Sequence, residues 1–295
     1  VFAKNLNVQN LNVKGRIMKR YFDDDAFEVF LKDFDFLFKI IKDERGELDI
    51  KIRPKNSFNL YYKGQSLAKI VLRKNQPYKI EINTKFLNYG NHEYIFEKEK
   101  RFPANPSGKT KSRVSFNITA SNLHPFFQKK HLKRICRNID KAGSNGEVMF
   151  EQMLITDNLN REDIFIIDQQ ITETSLKRKR MDLLALKQVS NNKYHFLLIE
   201  VKLGNNKELR EDVGVQLNQY LKHINANFRD WKQCYEKNYQ QIRETGIFEK
   251  PDYEKIEIVN KTIGKVVVCG YSGVGKKYLK DLGKIYPEIN VKQFK

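Results

Sequence analysis

At 295 residues, with 40% hydrophobic and 12% aromatic side chains, the chain has enough apolar material for two folded domains. Lys and Arg number 55 against 36 Asp and Glu, a formal charge of +19 with a pI near 9.6, which favours a polyanionic partner, nucleic acid or an anionic membrane surface. No apolar run approaches the roughly 18 residues of a membrane-crossing helix and no signal peptide stands out, so no membrane association is expected. The three cysteines, Cys136, Cys234 and Cys269, are far apart with no Cys-x-x-Cys pair. They support neither a zinc site nor an iron–sulfur cluster, and the expected location is the reducing cytoplasm.

In chain order, Phe27, Phe30, Leu31, Phe34, Leu37 and Phe38 recur at helical spacing and predict an amphipathic helix over 23–42, its Phe stripe facing a core. Strand-like runs follow at 48–53, 57–62, 66–72 and 78–82, separated by short turns such as Lys63-Gly64-Gln65. A helix followed by an antiparallel meander makes an α+β domain over 1–120. Its Tyr61, Tyr62, Lys63, Arg73 and Lys74 fit either a nucleic-acid backbone or a solvated sheet face. The Pro-, Gly- and Lys-bearing stretch 101–113 reads as a flexible basic connector, and 121–140 as a basic helical connector. Residues 141–295 form the second domain. It opens on a helix carrying Glu147 and Glu151 one turn apart on one face.

Further on, Met181-Asp182-Leu183-Leu184-Ala185-Leu186 and Phe196-Leu197-Leu198-Ile199-Glu200-Val201-Lys202 read as two strands joined by a tight turn within 187–193. That hairpin brings Asp182 close to Glu200. Alternation places Leu198, Glu200 and Lys202 on one face and Leu197, Ile199 and Val201 on the other, a two-sided apolar strand covered on both faces. A helix starts near Val213, carries Gln216 and Tyr220 one turn apart, and is expected to continue through Trp231 and Tyr235 as packing residues. Unpaired charge at the end of a buried strand costs several kcal/mol, roughly, so Asp182, Glu200 and Lys202 mark a site. Two carboxylates that hold a hard divalent cation, with an ammonium beside the attacking water, are what metal-assisted phosphodiester cleavage requires.

The ordered set Asp182, Glu200-Val201-Lys202 and Gln216-x-x-x-Tyr220 resembles the PD-(D/E)xK nucleases, of the RecB-like kind with a Gln-x-x-x-Tyr motif. The wording around these residues, and the helix Gly146-Glu147-Val148-Met149-Phe150-Glu151, is similar to the C-terminal nuclease domain of the archaeal NucS/EndoMS endonucleases. The likeness spans roughly Gly143 to Tyr220 and leaves the first 130 or so residues uncovered. It implies a restriction-endonuclease-like mixed sheet flanked by helices. It also implies Mg2+, replaceable by Mn2+, held by Asp182, Glu200, the Val201 carbonyl and Glu147. In the implied scheme Lys202 orients or deprotonates the attacking water, and Gln216 and Tyr220 position the lysine or the scissile phosphate. The family pattern favours Glu147 over Glu151, which is left as a surface or pairing group. The basic run Lys177, Arg178, Lys179 and Arg180, just before the Asp182 strand, is expected to meet substrate phosphates.

One further motif is set aside. Gly270 to Lys277 follows an apolar strand at 266–269 and fits the G-x-x-x-x-G-K part of a phosphate loop, but Lys277 stands where Ser or Thr would hold magnesium. The stretch is read as the last strand of the sheet followed by a short basic helix, and no nucleotide cofactor is expected. The expected activity is that of a Mg2+-dependent DNA endonuclease acting on nucleic acid, with homo-oligomerisation open. A phage-defence effector nuclease regulated by a partner, an RNA nuclease, and a nucleic-acid-binding protein that keeps the fold without cutting remain the alternatives.

Overall fold

The computed structural model describes residues 19–44, 46–73, 77–89, 93–94, 107–143, 146–159, 161–173, 176, 180–210, 212–270, 273–286 and 289–293. The first helix, α1 (Asp24–Asp43), buries Phe30, Phe34, Leu37, Phe38 and Ile41, the stripe its periodicity predicts. Asp24 and Asp25 in its first turn and Lys42 in its last complement the helix dipole. The Phe30 ring lies 4.9 Å from both Phe38 and Phe58 in edge-on contact, so the Phe stripe is core.

Strands β1 (Leu48–Arg53), β2 (Ser57–Tyr62), β3 (Gln65–Val71) and β4 (Tyr78–Asn83) form the expected antiparallel meander. Tyr61 and Tyr62 are buried in it, so neither an exposed backbone-binding face nor a solvated sheet face fits these two, whereas Lys63 is half-buried and Arg73 exposed. Lys74 lies outside the described residues. A short helix α2 (Thr84–Leu87) and a ribbon of β5 (Asn88–Tyr89) and β6 (Glu93–Tyr94) follow. Strands β7 (Gly108–Lys109) and β8 (Arg113–Ile118) complete a six-stranded sheet in the order β1-β2-β3-β4-β8-β7. The stretch read as a flexible connector is therefore partly strand. Val114, Phe116 and Ile118 alternate inward while Arg113 and Asn117 face out, a period of two masked by the surrounding Lys and Ser. Helices α3 (Ala120–Phe126) and α4 (Lys129–Ala142) close this half, and Leu132, Ile135 and Ile139 of α4 join the same core as α1 and its sheet.

Helix α5 (Gly146–Asp157) leads into β9 (Ile164–Thr172), β10 (Arg180–Ser190) and β11 (Lys193–Leu203). Helices α6 (Asp212–Ala226) and α7 (Phe228–Glu244), strand β12 (Glu257–Cys269), helix α8 (Gly273–Ile285) and strand β13 (Asn290–Gln293) complete the chain. The single helix expected through Trp231 is broken at Asn227, whose amide caps back onto His223 and Ile224. The sheet order is β13-β12-β11-β10-β9, antiparallel from β9 to β11 and parallel from β11 to β13. Its last strand is β13, one strand beyond the edge that the sequence suggests. Two apolar clusters sandwich it. Leu198, Leu217, Tyr220, Trp231 and Tyr235 pack on the α6–α7 side, and Ile155, Leu183, Leu197, Ile199 and Val201 on the α5 side. The chain is thus α/β, a mixed sheet flanked by helices and preceded by an antiparallel sheet with its own helices.

A buried ionic knot joins the two halves. Asp168 of β9 accepts from Arg53 of β1, from Arg20 at 3.2 Å and from the Tyr235 hydroxyl at 2.8 Å. Arg53 also donates to Tyr61 at 2.9 Å and to the Gln169 carbonyl at 2.7 Å. Burial alone would raise the Asp168 carboxyl, but Arg53 and Arg20 outweigh it and hold it below its ordinary value.

Candidate active site

The β10–β11 hairpin pairs Leu183 with Ile199, which sets Asp182 beside Glu200 and Val201. Asp182 Oδ2 accepts the Val201 amide at 2.9 Å. Glu200 and Lys202 share the face turned toward α6, as alternation dictates. Gln216 of α6 donates to Glu200 Oε1 at 2.9 Å and to the Tyr220 hydroxyl at 2.8 Å. Tyr220 passes the chain on, donating to the Arg180 carbonyl at 3.0 Å. Its ring is fully buried in the α6–α7 cluster, so it packs and hydrogen-bonds at once.

Lys202 reaches Glu200 at 3.1 Å and Glu208 at 2.8 Å. Glu208 lies on a short 3-10 turn (Lys207–Leu209) after β11, a position at which the sequence gives no sign of a site residue. Burial would lower the Lys202 ammonium, but Glu200 and Glu208 outweigh it and hold it above its usual range. Glu147 accepts from the Leu203 amide at 3.3 Å and from Asn206 at 2.8 Å.

Glu151 departs from its expected place at the surface. It is 1% exposed, and burial followed by the Asp182 charge pushes it up to about 8. Gln170, on β9 opposite the Asp182 strand, reaches Glu151 at 3.5 Å. Two acids at i and i+4 are equivalent in a pattern, and only the docking of α5 decides which one is buried. Of the basic run, Arg180 begins β10 and is exposed, while Lys177, Arg178 and Lys179 lie outside the described residues.

Glu200 is also pushed up to about 8, by burial first and then by Asp182. Asp182 rises too, chiefly through burial, against the Val201 amide and Lys202. Folded and free of metal, the chain therefore keeps protons on Glu151 and Glu200 that its unfolded form releases above the ordinary carboxylate range. Stability contributed by these two groups falls as pH rises from that range to about 8. Thermal melts without divalent cation at about pH 6 and about pH 8 are expected to give the lower melting temperature at the higher pH. The double variant Glu151→Gln, Glu200→Gln flattens that slope; an equal slope in the variant contradicts the assignment.

Among the described residues, no three His, Cys, Asp or Glu side chains converge as a preformed metal cage. What fits a hard divalent cation is the donor set. Carboxyl oxygens surround the hairpin end, and Glu200 Oε2 is buried with no hydrogen-bond partner. No helix among the described residues is long and apolar enough to cross a membrane.

No family model matches the chain, and no curated protein matches it. A solved structure of an EndoMS–dsDNA2 complex aligns with 84% of this chain and 77% of its own, at 12% identity and a TM-score of 0.26. At that TM-score the likeness carries no argument about fold or activity.

Proposed function

We propose that this chain is a metal-dependent nuclease of the PD-(D/E)xK type that hydrolyses phosphodiester bonds of DNA. The observation that carries the reading is the meeting of Asp182, Glu200 and Lys202 at one buried hairpin end, with a carboxylate oxygen of Glu200 left without a partner. A solvated strand end would not be buried, and a structural ion pair alone does not call for Asp182, Glu200, Lys202 and Gln216 to converge on one strand end. The net charge of +19 suits a phosphate backbone.

In this scheme Asp182, Glu200 and the Val201 carbonyl hold Mg2+ or Mn2+, and Glu147 completes the set, with Glu151 close behind. A bound divalent cation supplies Lewis-acid activation of water and phosphate. Lys202, kept protonated by Glu200 and Glu208, neutralises charge that develops on the phosphate; that protonation favours charge neutralisation over proton abstraction. Gln216 fixes the Glu200 carboxylate, and Tyr220 fixes Gln216. Nucleic acid is the proposed partner and the cytoplasm the proposed location. Residues 1–120 are proposed as an accessory domain and 141–295 as a nuclease domain, while the helices of 121–140, read from sequence as a connector, belong to the accessory domain because Leu132, Ile135 and Ile139 fill its core.

Binding is tested apart from cutting. The Glu200→Gln chain is expected to bind duplex DNA with an affinity that falls steeply as salt rises, through counterion release. Neutralising Lys177, Arg178, Lys179 and Arg180 together lowers the slope of log affinity against log salt, by up to about 0.9 for each phosphate these side chains neutralise. A flat salt dependence overturns the nucleic-acid partner, and an unchanged slope in the variant overturns the role of the basic run. Duplex DNA, single-stranded DNA and RNA offered side by side to the wild-type chain with Mg2+ test the substrate, with DNA cut fastest.

A further inference from the structure

The helix that carries Glu147 and Glu151 meets the sheet through Ile155, with Phe150 and Leu154 partly buried beside it, and is held from its other side by polar contacts. Its buried residues are Val148, Glu151, Gln152 and Ile155, and two of those four are polar. Those polar contacts come from a pair of glycine turns in the N-terminal half. The Gly46 carbonyl, just after α1, accepts Gln152 Nε2 at 2.6 Å and Thr156 Oγ1 at 3.0 Å. The Gly64 carbonyl, in the β2–β3 turn, accepts Gln170 Nε2 at 3.1 Å, and the same amide reaches Glu151.

Both turns press directly on α5. A Cβ on Gly46 would lie 2.5 Å from Thr156 Cγ2, and one on Gly64 would lie 2.7 Å from both Val148 Cγ1 and the Val148 carbonyl. Their φ angles, +84° and +74°, already favour glycine. The contacted residues flank the acids in sequence, since Val148 follows Glu147 and Gln152 follows Glu151. Gln170 itself sits at φ +50° in β9, a conformation uncommon for glutamine that persists only where its surroundings hold it.

We propose that the N-terminal sheet acts on the reaction by positioning α5, with Gly46 and Gly64 as positioning residues that set Glu147 and Glu151 against Asp182. The proposal rests on the nuclease reading. It gives the N-terminal half a part in the chemistry without contact to substrate: shifting either turn displaces the helix acids while the hairpin with Asp182, Glu200 and Lys202 stays in place.

The test uses the full-length chain. Gly246 has a similar φ, +65°, with no atom within 4 Å of an added Cβ, so Gly246→Ala carries the backbone strain without the crowding. Gly246→Ala is expected to cut at the wild-type rate. Gly64→Ala and Gly46→Ala are expected to lose about tenfold or more in kcat with the KM for duplex DNA within about twofold, as for a group misplaced by about an ångström or less. Adding Thr156→Ala to Gly46→Ala removes the colliding side-chain atoms and restores most of the rate. Gln152→Met, which deletes one hydrogen bond to Gly46 without crowding, is the milder variant for use if an alanine does not fold, and it lowers kcat severalfold. Amide hydrogen exchange across α5, which needs no cleavage, is read in parallel and speeds up in Gly46→Ala, Gly64→Ala and Gln152→Met but not in Gly246→Ala. Faster exchange in a chain whose wild type cuts nothing would overturn the nuclease reading alone. Wild-type kcat and unchanged α5 exchange in folded Gly64→Ala and Gln152→Met would overturn the positioning role.

Discussion

Lys202→Ala is expected to lose cleavage by on the order of 10²–10³-fold while it stays folded and keeps duplex DNA affinity close to wild type, with melting lowered because Glu200 loses a buried partner. The lysine sits among Glu147, Asp182, Glu200 and Glu208 with its charge held on, so its removal takes away the ammonium that pairs with Glu200 and Glu208. Removing it also leaves the carboxyls more reluctant to ionise, since Lys202 is among the groups that lower Glu200 and Asp182. Asp182→Ala and Glu200→Ala are expected to be at least as damaging and to weaken divalent-cation binding as well, each losing a charged oxygen ligand. Steady-state cleavage with isothermal titration of Mg2+ separates the two patterns. A Lys202→Ala chain cutting at the wild-type rate would remove the lysine from the mechanism.

Asp168→Ala is expected to cause a large loss of stability. The substitution leaves the Arg20 and Arg53 guanidinium groups buried without their shared carboxylate, and strips the Tyr235 hydroxyl of its acceptor. Breaking a buried pair by removing one partner costs about 3–5 kcal/mol, which for a chain of this size lowers melting by roughly 10 °C. Because Arg20 and Arg53 come from the N-terminal half and Asp168 from the mixed sheet, both halves are expected to destabilise together in a single transition. Two well-separated transitions, or a loss below about 1 kcal/mol, would show that the knot does not couple them.

The central hairpin was legible because its physics is local. Alternation along Phe196–Lys202 fixed which side chains share a face, and a short Asn- and Ser-bearing turn fixed the partner strand, so Asp182 and Glu200 met as expected. The meander from β1 to β4 was legible for the same reason. Asp168 was not, because a lone aspartate in an Ile-rich strand has no visible partner when Arg20 and Arg53 lie 148 and 115 positions away. Glu151 escaped because helical spacing gives it the same face as Glu147, and the seat that buries it comes from turns at Gly46 and Gly64 in another part of the chain. Glu208 was hidden by its place in a loop whose course is set by the buried Leu209 and by the Asn206 side chain capping the turn at the Glu208 amide. The break between α6 and α7 falls at Asn227, with neither Gly nor Pro to announce it.

Incubating supercoiled plasmid DNA with the purified chain, with and without Mg2+, tests the nuclease claim most directly, with Glu200→Gln as the paired control. The expected result is conversion to nicked and linear forms by the wild-type chain only when Mg2+ is present, and none by Glu200→Gln. Plasmid that stays supercoiled with Mg2+ and with Mn2+, or that is cut equally well by Glu200→Gln, would contradict it.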